Sequence, residues 1–211
     1  MAGNAQTIYV MESANLICGD TRAPSGAIAG APGVSTHLVL QELKLPTIEE
    51  NYADHTPGGA MVGIEINTHI NKLEATFNLA GWDPEIMTFI GQNHPLFHRF
   101  TAYGLIRDRR TSRALQATAI IEGRMGRVNP TAFSKGNLQS HEYSLKGITH
   151  YELWMQLEGG EAKPTAIYFW DFFISRLRVG NWELTNDMVN LLRIPGGNNG
   201  SNTVTAPEEN A

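Results

Sequence analysis

Cysteine is almost missing from this chain: Cys18 is the only one in 211 residues. An internal disulfide and a cysteine metal cluster are therefore excluded, and a reducing cytoplasm is the expected setting. Cys18 itself reads as a small buried hydrophobe. Charge is also scarce, at 18% of residues against about a quarter in an average domain. Lys and Arg number 16 against 21 Asp and Glu, and the formal net charge of −5 leaves no basic excess for tight binding to phosphates. No segment approaches ~18 uninterrupted apolar residues. The opening MAGNAQTIYVMES has no basic start followed by a long apolar run, so neither secretion nor a membrane span is expected.

The usual signatures of catalysis are lacking too. There is no Gly-x-Ser-x-Gly elbow, and no Cys, His and acid set in a recognisable context. His94 and His98 have a metal-binding spacing, but Pro95 lies between them and no Glu follows His94. His37, His55, His69, His141 and His150 are scattered. Gly123 and Gly126, with Arg124 and Arg127, do not lead from a strand into a helix, so they suit strand bending or close backbone approach rather than a phosphate loop. The expectation is no catalytic residue, no metal ligand and no cofactor.

What is plentiful is Gly, at 21 residues, together with Asn, a composition suited to many short strands joined by turns. The most informative stretch runs from Leu45 to Gly91. Ile64, Ile66 and Ile70 alternate with polar residues, and so do Leu73, Ala75, Phe77 and Leu79, which predicts two half-buried strands. The apolar phase changes parity between Ile70 and Leu73, so a tight turn or bulge is required near Asn71 and Lys72. Asp83-Pro84 then caps and opens a helix whose apolar side is Ile86, Met87, Phe89 and Ile90, ended by Gly91.

Elsewhere, strands are expected over Thr7 to Asp20 and His37 to Leu45, with Thr47 to Gly59 as a polar loop. Phe100 to Asp108 and Ala114 to Val128 read as a hairpin across a turn carrying Arg109, Arg110 and Arg113. That turn is a solvated tip or a patch for an acidic partner or phosphate. His141 to Gln156 is another long strand, and Ala166 to Ile174 is the most β-prone segment. Its aromatics, Tyr168, Phe169, Trp170, Phe172 and Phe173, fall on both faces, so it is central in a sandwich or covered by another subunit. Leu184 to Leu192 suits a short helix. The reading is one mainly β domain over 1–194, a sandwich or barrel with a short flanking helix. Loop insertions fall at about 21–36 and 46–61, and 195–211 is a flexible polar tail.

Leu45-Pro46 with its polar loop, Gly58-Gly59, the Ile64 strand, Lys72 to Phe77 and Gly81 to Glu85 form one matching block, and Tyr151-Glu152-Leu153 leading to an apolar strand forms a second. On these the chain resembles the major tail tube proteins of contractile-tailed bacteriophages, a family similar in fold to the Hcp tube of type VI secretion. The resemblance implies a structural, non-enzymatic subunit that forms hexameric rings. Each subunit contributes four strands to an inner barrel, and the rings stack into a tube. Implied partners are other copies, the sheath, the tape-measure protein, and double-stranded DNA that passes without specific binding. The implied place is the virion tail, after assembly in the host cytoplasm, with no membrane partner.

By the same resemblance, ring stacking is assigned to Pro46, Glu49, Glu50, Tyr52, Asp54, Pro57 and Met61, with the 23–35 loop as a weaker candidate. Lumen-facing candidates are Glu65, Asn67 and His69, or Glu74, Thr76 and Asn78. A bacteriocin or type VI-like tube is the nearest alternative. A monomeric ligand-binding or enzymatic β-barrel is the rival from another class.

Overall fold

The computed structural model describes residues 8–19, 33–56, 58, 62–91, 97–132, 134–157 and 166–192. Its centre is a long antiparallel hairpin, β8 (Ala114–Pro130) against β9 (Ser140–Leu157). The hairpin serves two sheets because its two ends acquire different neighbours. The Ala114 end pairs with β7 (His98–Asp108), which pairs with β1 (Tyr9–Cys18) and through it with the short β2 (Val34–Ser35). On the other side of that end lie β10 (Ala166–Asp171), β11 (Arg176–Val179) and β12 (Trp182–Glu183). At the Pro130 end the neighbours of β9 are instead β6 (Ala75–Ala80) and then β3 (Leu40–Lys44).

The hairpin bends where its glycines sit. Register shifts fall between Glu122 and Arg124 and between Met125 and Arg127, flanking Gly123 and Gly126, and Gly147 opposite them adopts φ +58. A Cβ on Gly123 would lie 3.2 Å from both Ile148 Cγ1 and the Lys146 carbonyl oxygen, so glycine lets the two backbones approach more closely than a larger residue would without displacing its neighbours.

The bend folds one sheet over the other, and the core fills the space between. Leu16 and Cys18 of β1, Ala75, Phe77 and Leu79 of β6, Phe100 of β7, Ile121 of β8, and Tyr143, Leu145 and Tyr151 of β9 are all buried. Phe77 stacks on Tyr143 at 5.1 Å between ring centroids and 7° between planes, worth about 0.5–1.5 kcal/mol beyond burial. Burial pushes the Cys18 thiol up to about 12, as expected of an inert packed cysteine. The strong β10 segment is apolar on both faces because each face has its own core: Tyr168 joins the main one, while Phe169 packs with Trp154 and Ala166 in a second.

Several expectations are corrected. The polar segment 47–59 is not all loop, for Glu50–His55 forms β4 and pairs with β5 (Ile64–Ile70) as a separate two-stranded sheet. Nor is the Ile64 strand half-buried: all six residues of β4 are exposed, and so are the first six of β5. Alternation gave the strand correctly but could not show that neither face meets the body. The helix α1 is one turn, Pro84–Met87, rather than extending to Gly91. The Ala166 strand ends at Asp171, whose side chain accepts from the amides of Phe173 and Ile174 and closes a turn. Leu38, expected in a strand, stands 91% exposed in a turn. The second helix, α2 (Asn186–Leu191), falls within the expected Leu184 to Leu192 segment, and the Thr185 hydroxyl before it accepts from Leu177 N–H rather than capping it. Most of the 23–35 loop, His94 and the 195–211 tail lie outside the described residues.

Candidate functional site

Three surfaces carry the functional argument. The first is the arm formed by β4 and β5. It leaves the body after Pro46, which is buried at its root, and returns at Asn71, whose N–H donates to the Glu49 carbonyl at 2.8 Å. Glu49, Glu50, Tyr52 and Asp54 are all exposed along it, while Pro57 and Met61 lie outside the described residues. Ile64 and Ile66 are 57% and 46% exposed. A lone two-stranded hairpin is marginal in water, and this one exposes isoleucines that its own body does not cover.

The second surface is the outer face of the sheet β3-β6-β9-β8. Cross-strand partners point to the same side, and the register aligns Glu42, Asn78, Glu142 and Asn129 in one row, with Lys44, Thr76, Ser144 and Arg127 in the next. Asn78 Nδ2 donates to Glu42 Oε2 at 3.0 Å, and Asn129 Nδ2 to Glu142 Oε2 at 3.3 Å. Lys146 Nζ lies 3.4 Å from Glu74 Oε1. The face is thus polar and of mixed sign, with Ser144 buried among its neighbours. Both of its edges are open among the described residues, since β3 pairs only with β6, and β8 beyond Met125 pairs only with β9. The structure separates the lumen candidates: Glu74, Thr76 and Asn78 belong to this face, whereas Glu65, Asn67 and His69 are on the arm.

The third surface is a row of alternating charge across the other sheet, which the sequence reading missed. Arg99, Glu122, His150, Asp171 and Arg176 are successive cross-strand partners on β7 to β11. Arg99 Nη2 meets Glu122 Oε1 at 2.7 Å, and Arg176 Nη2 meets Glu183 Oε2 at 2.8 Å. His150 is clamped at both ring nitrogens, Nδ1 to Asp171 at 2.9 Å and Nε2 to Glu152 at 2.8 Å. Burial disfavours its charged form, but the hydrogen bonds to Asp171 and Glu152 and the nearby charges of Glu152 and Glu122 outweigh that and raise its pKa to about 9. Protonated and doubly bonded, the imidazole has no lone pair for base chemistry. Only the register brings these residues together, and no spacing along the chain announces it.

A projecting arm, an open-edged polar sheet and an internally neutralised face are features of a β subunit built to assemble. The particular family follows from comparison: the chain belongs to the family described as phage tail tube protein FII, whose model matches residues 31–159. Its role is that of a structural protein of a phage-type contractile tail tube, and a tube of a related injection system is compatible with the same membership. Among solved structures, the chain is similar to one from "an Extracellular Contractile Injection System, PVC sheath-tube complex in extended state", with TM-score 0.47, 10% identity, and coverage of 69% of this chain and 88% of that one. The PVC sheath/tube terminator in the extended state matches at TM-score 0.47 and 10% identity over 68% and 93%. The anti-feeding prophage (AFP) baseplate matches at 0.45 and 11% over 74% and 100%. The search among curated proteins gives no match.

Proposed function

We propose that six copies of this chain close into a ring whose channel is lined by the β3-β6-β9-β8 faces, and that rings stack through the arm into a hollow tube. The observation that carries this reading is the four-stranded sheet with a polar outer face and, among the described residues, two open edges. Open edges invite pairing with another chain, and closing them edge to edge around a ring removes the liability. Glu74, Thr76 and Asn78 then face the lumen, and Glu49, Glu50, Tyr52 and Asp54 belong to the stacking arm.

In this reading residues 1–194 form the tube domain and 195–211 a tail, and the subunit has no catalytic task. The tube lies inside a sheath and passes DNA and a tape-measure protein. Rings form in the host cytoplasm and end in the virion tail. Six copies at −5 each give a ring of about −30, a field that opposes DNA adhesion. A bacteriocin or type VI-like tube uses the same subunit for a different cargo.

Negative-stain electron microscopy of the purified chain at high concentration tests the proposal. Six-fold rings or hollow stacked tubes are expected. A particle that stays monomeric at every concentration overturns it.

A further inference from the structure

The arm has two unlike faces. Its register places His55, Ile64, Ala53 and Ile66 on one side, and Asp54, Glu65, Tyr52 and Asn67 on the other. Asp54 and Glu65 stand directly opposite one another, a like-charge pair that weakens an isolated hairpin. No Lys or Arg occurs between Pro46 and Asn71 to relieve it. The arm therefore carries an uncompensated demand for cations as well as bare apolar surface.

Such cations are displayed elsewhere on the same chain. Arg109, Arg110 and Arg113 are exposed on the β7–β8 turn, while Arg107 is held by Glu12 Oε1 at 2.8 Å and by the Ser112 carbonyl at 3.0 Å. The turn is rigidly formed. Asp108 Oδ1 accepts from the Arg110 N–H at 2.7 Å, its Oδ2 accepts from the Thr111 hydroxyl at 2.6 Å, and Ser112 N–H donates to the Asp108 carbonyl at 2.8 Å. The backbone that presents the three arginines is thus already formed, so binding orders only their side chains.

Within one copy, no hydrogen bond or ion pair joins the arm to this turn among the described residues, and β4 is exposed throughout. Between copies, an acidic arm meeting a basic turn is a heterologous, head-to-tail contact, the geometry that propagates a stack rather than closing a dimer.

We propose that the Asp54–Glu65 face of the arm of one copy docks on the Arg109, Arg110 and Arg113 turn of a second copy. This rests on the tube reading above and supplies its acceptor surface. The test uses two full-length variants, Asp54→Lys with Glu65→Lys, and Arg110→Glu with Arg113→Glu, each checked for native circular dichroism. Alone, each is expected to need about tenfold more protein than wild type to form stacked tubes at low salt, because like charges then face each other. Mixed in equal amounts, they are expected to co-assemble at close to the wild-type concentration. Variants that stack as well as wild type, or impaired variants whose mixture stays impaired, overturn the docking proposal. Failure of wild type itself to form rings or tubes overturns the tube reading instead.

Discussion

His150 sits between two carboxylates with its side chain only 14% exposed, and its charge state is tied to the fold. Its folded pKa, about 9, exceeds the ordinary value of 6.5. The clamp's contribution is therefore complete below about pH 6.5 and is lost as pH rises through about 9. Asp171 is held below the usual carboxylate range: burial opposes this, but its hydrogen bond to His150 prevails. That is the same interaction seen from the other partner and counts once. His150→Gln is expected to lower stability at pH 6.5 by about 3 kcal/mol and to flatten the decline between pH 7 and 9.5 in urea melts. An equal slope for variant and wild type would contradict the clamp. His141 is the contrasting case, sealed at 0% exposure with neither ring nitrogen hydrogen-bonded among the described residues and the Trp82 ring tilted over it, centroids 4.3 Å apart. Replacing an unpaired buried polar ring by an apolar side chain removes a desolvation cost. His141→Leu is thus expected to raise stability by about 1 kcal/mol, and a clear drop in the midpoint of denaturation would refute this.

At the scale of elements, the bent hairpin organises the fold, and its bend depends on glycine. Gly123→Val would push a branched side chain against Ile148 and the Lys146 carbonyl, an overpacking expected to cost about 1–3 kcal/mol. A melt unchanged within error would show that the two strands can separate there at little cost. The same elements show what was legible in the sequence. Alternation marked β6 and β9, β-branched and apolar composition marked β1, and a charged turn between two apolar runs marked the β7–β8 hairpin, since each of these strands has at least one face on the core; the Asp83-Pro84 cap was legible because its hydrogen bonds are local: Asp83 accepts from the Glu85 and Ile86 amides at 2.9 and 3.3 Å. β4 was hidden because Glu50-Asn51-Tyr52-Ala53-Asp54-His55 has no apolar face to create a period, and its pairing with β5 is set by register alone. The charge ladder was hidden for a related reason. Arg99, Glu122, His150, Asp171 and Arg176 are neighbours across strands and far apart in sequence, so no local motif encodes them.

For the whole molecule, the question is how the proposed conduit avoids holding DNA. On the proposed lumen face, the carboxylates Glu42, Glu74 and Glu142 are interleaved with the cations Lys44, Arg124, Arg127 and Lys146. A passing phosphate therefore meets no run of unopposed cations. Arg124 is further occupied by the Phe97 ring, 5.0 Å from its centroid. Phosphate affinity grows with each cation that displaces a condensed counterion, and it falls steeply with salt. Replacing Glu42, Glu74 and Glu142 together by Gln leaves four cations per subunit on the proposed lumen face without changing side-chain length, so the sheet and its hydrogen-bonded rows are largely kept. Assembled variant tubes are expected to retain double-stranded DNA at about 50 mM salt and to release most of it by about 200 mM, whereas wild-type tubes retain none at either. Retention by intact tubes whose ends are open, and its absence from disassembled subunits, would assign the effect to the channel. Equal DNA binding by variant and wild-type tubes would mean that these carboxylates do not line the lumen and that another face encloses it.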